Sequence, residues 1–253
     1  MAEGDTILRL ARRFDSALVG ATVAATAPNP RGKSAGIERL DGRTLESVEA
    51  RGKHLLLDFG EVSLHSHLGM SGGWHFYRPG TRWRRPRSSA WAVLSGGGWE
   101  VPQFGGPTLR VMASSRLRRD PQLLRLGPDI LAADFEPEAI AAAMRVDPAR
   151  GLGDALLDQH LVAGIGNIFK SEACFAARVD PWRPIGEVSD EELRTVILAA
   201  REQMLAAVES GGRHSFQVYK RRQGACPHCR GPISSRGQGD ANRTTYWCPK
   251  CQR

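Results

Sequence analysis

Two Cys-x-x-Cys knuckles near the C-terminus constrain this chain more tightly than any other feature. Cys226-Pro-His-Cys229 and Cys248-Pro-Lys-Cys251 are separated by 18 residues. Each knuckle is a short turn that aims two thiolates at one point, and two knuckles close a tetrahedral Cys₄ shell. Such a shell predicts one structural Zn2+ per chain. It leaves no open position for water, so the metal is expected to hold the fold rather than perform chemistry. His228 stands between ligands and would compete only if a cysteine failed. The fifth cysteine, Cys174, lies on a helical pattern and reads as a small core residue. In a chain with no secretion signal, paired knuckles favour metal over disulfides.

The metal appendage sits on a chain long enough for two packed units. It has 253 residues, 41% of them hydrophobic and 25% charged, which excludes disordered, collagen-like and membrane-protein composition. No apolar run approaches the roughly 18 residues of a membrane span. The N-terminus MAEGDTILRL carries acids where a signal peptide needs bases. A cytoplasmic protein is expected. The formal net charge of +8 is unevenly spread. Residues 78–125 hold 10 basic and 2 acidic side chains, and residues 211–253 hold 9 and 1. Between them, residues 126–210 hold 7 and 15, so two basic blocks flank an acidic one. That asymmetry points to a polyanionic partner more strongly than the total does.

The periodicity divides the chain. Ile7, Leu8, Ala11, Phe14, Ala17 and Leu18 recur at helical spacing, with Asp5 or Thr6 as the expected cap. Short segments follow, bounded by Gly, Pro and Asp: Thr44–Ala50, His54–Phe59, Val62–Leu68, Ala90–Leu94 and Thr108–Met112. Their β-branched and alternating residues predict an antiparallel sandwich or barrel. Arg78–Arg87 reads as an exposed loop. Leu126-Gly127-Pro128-Asp129 reads as a linker, after which helices are expected over Phe135–Met144, Leu152–Gln159, Asn167–Ala176 and Asp190–Glu209. Ser189 and Glu192 fit a capping box for the last of these, and Gly211-Gly212 stop it. The expected class is α+β: an N-terminal helix and β-sandwich, a helical domain, and a zinc-finger β-hairpin. The corresponding ranges are 1–125, a linker over 126–134, 135–212 and 213–253.

Several motifs then line up in order. They are Glu3-Gly4-Asp5-Thr6, Arg51-Gly52-Lys53-His54-Leu55, His67-Leu68-Gly69-Met70-Ser71-Gly72, Leu126-Gly127-Pro128-Asp129, Leu156-Leu157-Asp158-Gln159 with Ala163-Gly164-Ile165-Gly166-Asn167-Ile168, and Arg243-Thr-Thr-Tyr-Trp-Cys248-Pro-Lys-Cys251-Gln252. Together they resemble the Fpg/Nei family of DNA glycosylases over the whole chain. The resemblance implies a helix–two-turn–helix segment as the helical domain and double-stranded DNA, with damaged bases or abasic sites, bound in the cleft between domains. It also implies a monomeric bacterial enzyme acting at the nucleoid. The two basic blocks are then expected to help line the DNA cleft. Independently, the glycines of Gly164-Ile165-Gly166-Asn167 let backbone amides approach a phosphate at the start of a helix.

The resemblance also assigns roles. The amine of Ala2, once Met1 is removed, would attack C1′ of the damaged nucleotide and form a Schiff base that permits strand cleavage. A terminal amine suits that task because its reference pKa is about 7.7–8.0, against about 10.4 for lysine. Glu3 would shuttle protons at the sugar, Lys53 would contact phosphate near the lesion, and Glu172 would be a supporting carboxylate. Met70 would fill the gap left by the flipped nucleotide, with Gln103 and Phe104 as candidates for the other wedge residues. Gly164, Gly166, Asn167 and Arg243 would hold the DNA backbone. Cys226, Cys229, Cys248 and Cys251 would ligate zinc.

In place of the family's usual proline after Met1, the chain has Ala2. Its imine must be protonated before it serves as an electron sink. The alternative is therefore a catalytically impaired or engineered Pro-to-Ala form that only binds damaged or abasic DNA. A third reading is a zinc-ribbon scaffold with no preference for damage. Only five residues separate Gly212 from Val218, too few for the lid that covers 8-oxoguanine in purine-directed members. Oxidised pyrimidines are the expected lesions.

Overall fold

The computed structural model describes residues 2–221, 224–239 and 242–253. Met1, whose removal the chemistry above requires, lies outside the described residues. The chain divides into two compact units, Met1–Leu124 and Arg125–Arg253.

The first unit opens with helix α1 (Gly4–Leu18), whose Ile7, Ala11, Phe14 and Leu18 are buried on one face. Its N-cap is Glu3, not Asp5 or Thr6: the Thr6 and Ile7 amides donate to the Glu3 carbonyl. The Asp5 carboxylate is already engaged by Arg9 and Thr6 side chains, so it does not turn back on the backbone. Strands β1 (Thr22–Thr26), β2 (Arg43–Thr44), β3 (Ser47–Arg51), β4 (His54–Asp58), β5 (Val62–His67), β6 (Gly73–Trp74), β7 (Ala92–Gly96), β8 (Trp99–Phe104) and β9 (Thr108–Ala113) follow. They form two sheets, ordered β2-β1-β7-β8-β6 and β3-β4-β5-β9, and every pairing is antiparallel.

One buried cluster draws on both sheets and α1, with Val23, Leu57, Leu64, Leu94 and Val111 around Phe14. Phe14 meets Trp74 and Phe76 edge-on, at 5.1 and 5.0 Å between ring centres. The antiparallel sandwich is as expected. The segment 44–50 is not one strand, however. It supplies β2 to one sheet and β3 to the other, because Leu45 is fully buried and carries the chain across the core. Trp83 also departs from the exposed-loop expectation: it is 8% exposed, stacked on Tyr77 and edge-on to Phe104.

Three short helices, α2 (Pro30–Ser34), α3 (Ser114–Leu117) and α4 (Pro121–Leu124), complete this unit. The second unit contains α5 (Pro137–Arg145), α6 (Leu152–Leu157), α7 (Asn167–Ala176) and α8 (Asp190–Glu209). Leu156, Phe169, Cys174, Val196 and Met204 share its main core. Cys174 is fully buried, as its helical position predicts. Both bonds of the Ser189/Glu192 capping box are present. Segment 126–134 is stitched to residues 159–163: Gly127 donates to Gln159, Ile130 to Ala163, and Ala163 to Pro128.

Strands β10 (Ser234–Gln238) and β11 (Arg243–Trp247) form the C-terminal hairpin, with Gln238 opposite Arg243. Its contacts with α7 include Asn167 Nδ2 to the Thr244 carbonyl at 2.7 Å, Lys170 Nζ to Thr245 Oγ1 at 2.5 Å and the Tyr246 amide to Ser171 Oγ at 3.4 Å. Among the described residues, no helix is long and apolar enough to cross a membrane.

Candidate active site

In the first unit, three segments distant in sequence converge at the C-terminal end of β5. The Ala2 nitrogen donates to the Gly69 carbonyl at 3.2 Å. Gly69 has φ +57°, and a Cβ there would lie 2.8 Å from Pro107 Cδ, so the tight turn after β5 requires glycine. The turn presents Met70, which is 67% exposed, an unusual setting for a large apolar side chain. Ala2, Thr6, Arg9, Arg13, Met70 and Gly73 line a cavity of about 350 Å³. Glu3, beside Ala2, is 1% exposed. Lys53, in the two-residue turn between β3 and β4, is half-buried and adjoins the end of β5 through His54 and His67, which are paired across β4 and β5. Ala2, Glu3, Lys53 and Met70 are thus brought to one end of one sheet. Gln103 and Phe104 pair with Trp74 and Gly73 beside that turn but do not project from it: they are 0% and 2% exposed and pack inward.

Beneath this end lies a polar network that the residue pattern does not reveal. His54 Nδ1 and His65 Nε2 are 2.8 Å apart. Arg110 approaches His65 Nδ1 with two nitrogens, at 3.3 and 3.2 Å, and ion-pairs with Asp120. Because a guanidinium only donates, His65 Nδ1 is the acceptor and its Nε2–H donates to His54. Burial, reinforced for His54 by the neighbouring histidines and for His65 by Arg110, lowers their pKa values to about 3 and about 4. His67 is also lowered, by burial and then by Lys53. Nearby Asp120 opposes the shift at both His54 and His65.

These folded rings stay neutral while unfolded ones gain a proton below about pH 6.5. Stability is therefore fully present above pH 6.5 and lost as pH falls toward the folded values. Between pH 7 and pH 5 the His54 and His65 rings, with folded values of about 3 and about 4, are each expected to remove about 2 kcal/mol of stability. Urea unfolding at the two pH values checks this, and a pH-independent midpoint would contradict it.

In the second unit, Gly164 has φ +104° and its amide donates to Gln159 Oε1 at 3.0 Å. Gln159 Nε2 in turn donates to the Leu157 and Ile165 carbonyls, bracing the turn from inside. Gly166 is the N-cap of α7 and brings no side chain to that position. Asn167 is 6% exposed. Its Nδ2 is held by Thr244, while its Oδ1 is buried with no hydrogen-bond partner among the described residues. Arg243 is exposed on β11, one residue from Thr244, so the turn and the hairpin arginine are tied together. Both oxygens of Glu172 are occupied by backbone: Gln217, Val218 and Tyr219 amides donate at 2.8, 2.9 and 2.7 Å. Glu172 thereby fixes the segment leading into the hairpin.

The four cysteine sulfurs lie within 4.8 Å of one another. Cys226 and Cys251 are 3.8 Å apart, and Cys229 and Cys248 are 3.5 Å apart. A tetrahedron of Zn–S bonds has edges of about 3.8 Å, whereas a disulfide is about 2.05 Å. The donor set fits a tetrahedral metal ion. His228 is turned aside, stacked on Phe175 at 5.0 Å.

Residues 1–98 match the formamidopyrimidine-DNA glycosylase N-terminal domain, and residues 126–218 match the formamidopyrimidine-DNA glycosylase H2TH domain. The chain belongs to the Fpg/Nei family. It is 37% identical to the probable endonuclease 8 2 of Streptomyces coelicolor, over all of this chain and 94% of that protein. It is 32% identical to the DNA-(apurinic or apyrimidinic site) lyase Nei2 of Mycolicibacterium smegmatis, over 100% of this chain and 99% of that one. The crystal structure of the MutM (Fpg) protein from Thermus thermophilus superposes with a TM-score of 0.81 at 30% identity, covering 99% and 98% of the two chains. The ordered motifs and the resemblance they carry are therefore confirmed at the level of family and fold.

Proposed function

We propose that this Fpg/Nei family protein is a base-excision-repair glycosylase that removes oxidised bases, pyrimidines foremost, and cleaves the strand through an N-terminal Schiff base. The observation that carries this reading is the position of the Ala2 nitrogen. It lies beside a buried glutamate and an exposed Met70, at the mouth of a cavity. With Met1 removed, that nitrogen becomes a primary amine, roughly one-seventh neutral at pH 7. Its lone pair forms a bond to C1′ as the C1′–base bond breaks, and the base leaves with a proton. Glu3 relays protons to the opening sugar. The resulting imine, once protonated, accepts the electrons released when the 2′ proton is removed, and the 3′ phosphate departs.

Lys53 and Met70 act at the lesion, the first on phosphate and the second in the vacated stack. Gly164, Gly166, Asn167 and Arg243 grip backbone phosphates, and Glu172 is a positioning residue that holds 217–219. The Cys₄ site holds zinc. The parts are the catalytic domain 1–125, the connecting segment 126–134, the helix–two-turn–helix domain 135–212 and the finger 213–253. The short 213–217 segment supports the pyrimidine preference, since it is packed against α7: His214 meets Phe169 edge-on and stacks on Phe216.

Duplexes carrying thymine glycol, dihydrouracil, 8-oxoguanine or an abasic site test the proposal, together with borohydride reduction and mass spectrometry of the N-terminus. The expected result is incision of the pyrimidine lesions and a covalent adduct at Ala2. Absence of both base release and adduct in the Met1-processed protein would leave only the binding reading. Incision of 8-oxoguanine alone would remove the lesion assignment.

A further inference from the structure

The Arg-rich loop between β6 and β7 is not used by the chemistry above, yet its build is unlike a solvated charge run. Residues 78–87 include Arg78, Arg82, Arg84, Arg85 and Arg87 and no acid. Trp83 anchors the loop in a satellite core with Ala90, Val93 and Phe104. The Arg84 amide donates to the Tyr77 hydroxyl at 3.3 Å, and Ser89 Oγ donates to the Pro86 carbonyl at 2.7 Å. Three guanidiniums are held over rings: Arg78 over Trp99 at 3.8 Å, Arg87 over Trp83 at 4.1 Å and Arg85 over Phe104 at 5.4 Å. Arg87 also neutralises Glu100 with two hydrogen bonds. Arg82, Arg84 and Arg85 are exposed and have no carboxylate partner among the described residues. Residues 81–87 form a concavity of about 430 Å³.

We infer that this loop is a second phosphate-backbone grip, which holds the duplex flanking the lesion. The inference rests on the DNA-repair reading and adds a surface to it. Three points choose duplex DNA as the occupant. The loop belongs to the same compact unit as Ala2 and Met70, so it moves with them. A line of contacts connects the two: Gly73 lines the cavity with Met70, His75 stacks on Tyr77 at 6.3 Å between ring centres, and Tyr77 stacks on Trp83 at 5.8 Å. Gly73 and His75 are in close approach, since a Cβ on the glycine would lie 3.2 Å from the imidazole Nε2. Arg85 lies 5.4 Å over Phe104, which pairs with Gly73 across β6 and β8, and Gly73 is three residues, at most about 11 Å of chain, from Met70. The exposed arginines therefore stand within one turn of a duplex seated at Met70, at about 3.4 Å per base pair. The positive field is also felt along this line: burial and then Arg85, Arg84 and Arg13 lower the His75 pKa. The rings beneath Arg78, Arg85 and Arg87 are covered by guanidiniums, so the loop offers charge and planar donors to phosphate rather than open aromatic faces to unpaired bases.

The test compares the wild-type protein with R82A/R84A/R85A and R82K/R84K/R85K on a 30-base-pair duplex with a central abasic-site analogue, across a salt titration. Each lost phosphate contact flattens the plot of log K against log salt by about 0.9. The alanine variant is expected to lose about 2 to 3 from the slope and bind about 100- to 1000-fold more weakly at 0.1 M salt. The lysine variant should keep most of the slope, because charge rather than packing is involved. All three substitutions are at exposed positions, and matched circular dichroism spectra would exclude misfolding. An unchanged slope in the alanine variant would overturn this inference while leaving the repair function standing. Failure of the wild-type protein itself to bind lesion duplex would instead overturn the function.

Discussion

A Glu3→Gln substitution in the Met1-processed protein is expected to slow base release by roughly 10²- to 10⁴-fold while abasic-site duplex binding stays near the wild-type value. The size follows from what the carboxylate alone can do. Glutamine has nearly the same shape, so it fits a position that is 1% exposed and leaves the backbone bonds from Thr6 and Ile7 to residue 3 intact. It cannot relay a proton to the sugar. The competing structural role is electrostatic: a carboxylate at the start of α1 complements the helix dipole, which is worth about 0.3–1 kcal/mol. Loss of that contribution would lower the melting midpoint slightly and leave the rate alone. Single-turnover base release, measured beside thermal unfolding, separates the two. A variant that is modestly destabilised but excises at the wild-type rate would show that Glu3 serves only the helix end. A flattened acidic limb in the pH–rate profile, with the fold intact, would identify it as the proton carrier.

What the residue pattern could foretell depended on how local each cause is. Helices α7 and α8 have the boundaries expected from periodicity, because Gly166 before one and Ser189 with Glu192 before the other are signals complete within four residues. The cysteine knuckles are local in the same sense. The start of α1 departs from the expected cap because Asp5, a good cap in isolation, is claimed by Arg9 four residues on. The segment 44–50 looks like one strand because its residues all suit a sheet; only the pull of the core on Leu45 divides it between two. The histidine network was invisible for a deeper reason. His54, His65 and His67 meet through the β4–β5 register, and Arg110 joins through β5–β9. A slip of one residue would turn every one of those side chains to the opposite face. Among site residues, Ala2, Glu3, Lys53 and Met70 were named through family resemblance, and their convergence at the end of β5 became apparent only with the turn at Gly69 in place. Phe104, a candidate wedge, is buried because Trp83, which the pattern places in an exposed loop, draws it into a core of its own.

Removing the metal from the Cys₄ site is expected to unfold the finger and abolish tight DNA binding while α5–α8 stay folded. The argument begins with how little else holds the hairpin. Among the described residues the buried cluster beneath it comprises Phe175, Val218, Cys226, Ile233 and Cys248, with Tyr246 and Cys251 packed against it, and three of these seven belong to the Cys₄ set. A two-stranded hairpin is marginal in water, whereas structural zinc contributes about 10–16 kcal/mol in small finger domains. The helical core is a distinct cluster and shares none of those residues. Loss of the finger would release the Thr244 carbonyl from Asn167 and Thr245 from Lys170, and would uncover an ammonium that is fully buried in the folded protein. It would also free Arg243 from its place beside the Gly164–Asn167 turn. Losing a few charge-assisted phosphate contacts removes about 3 kcal/mol of binding, or roughly a hundredfold in affinity. Chelation with a colorimetric metal assay, circular dichroism and titration with lesion duplex would follow the three consequences together. Cys248→Ser should reproduce them without chelator, since one weakened ligand opens the shell. Retained lesion-duplex affinity after complete metal release would show that the finger does not hold the DNA, and would confine the grip to the Gly164–Asn167 turn and the β-sandwich unit.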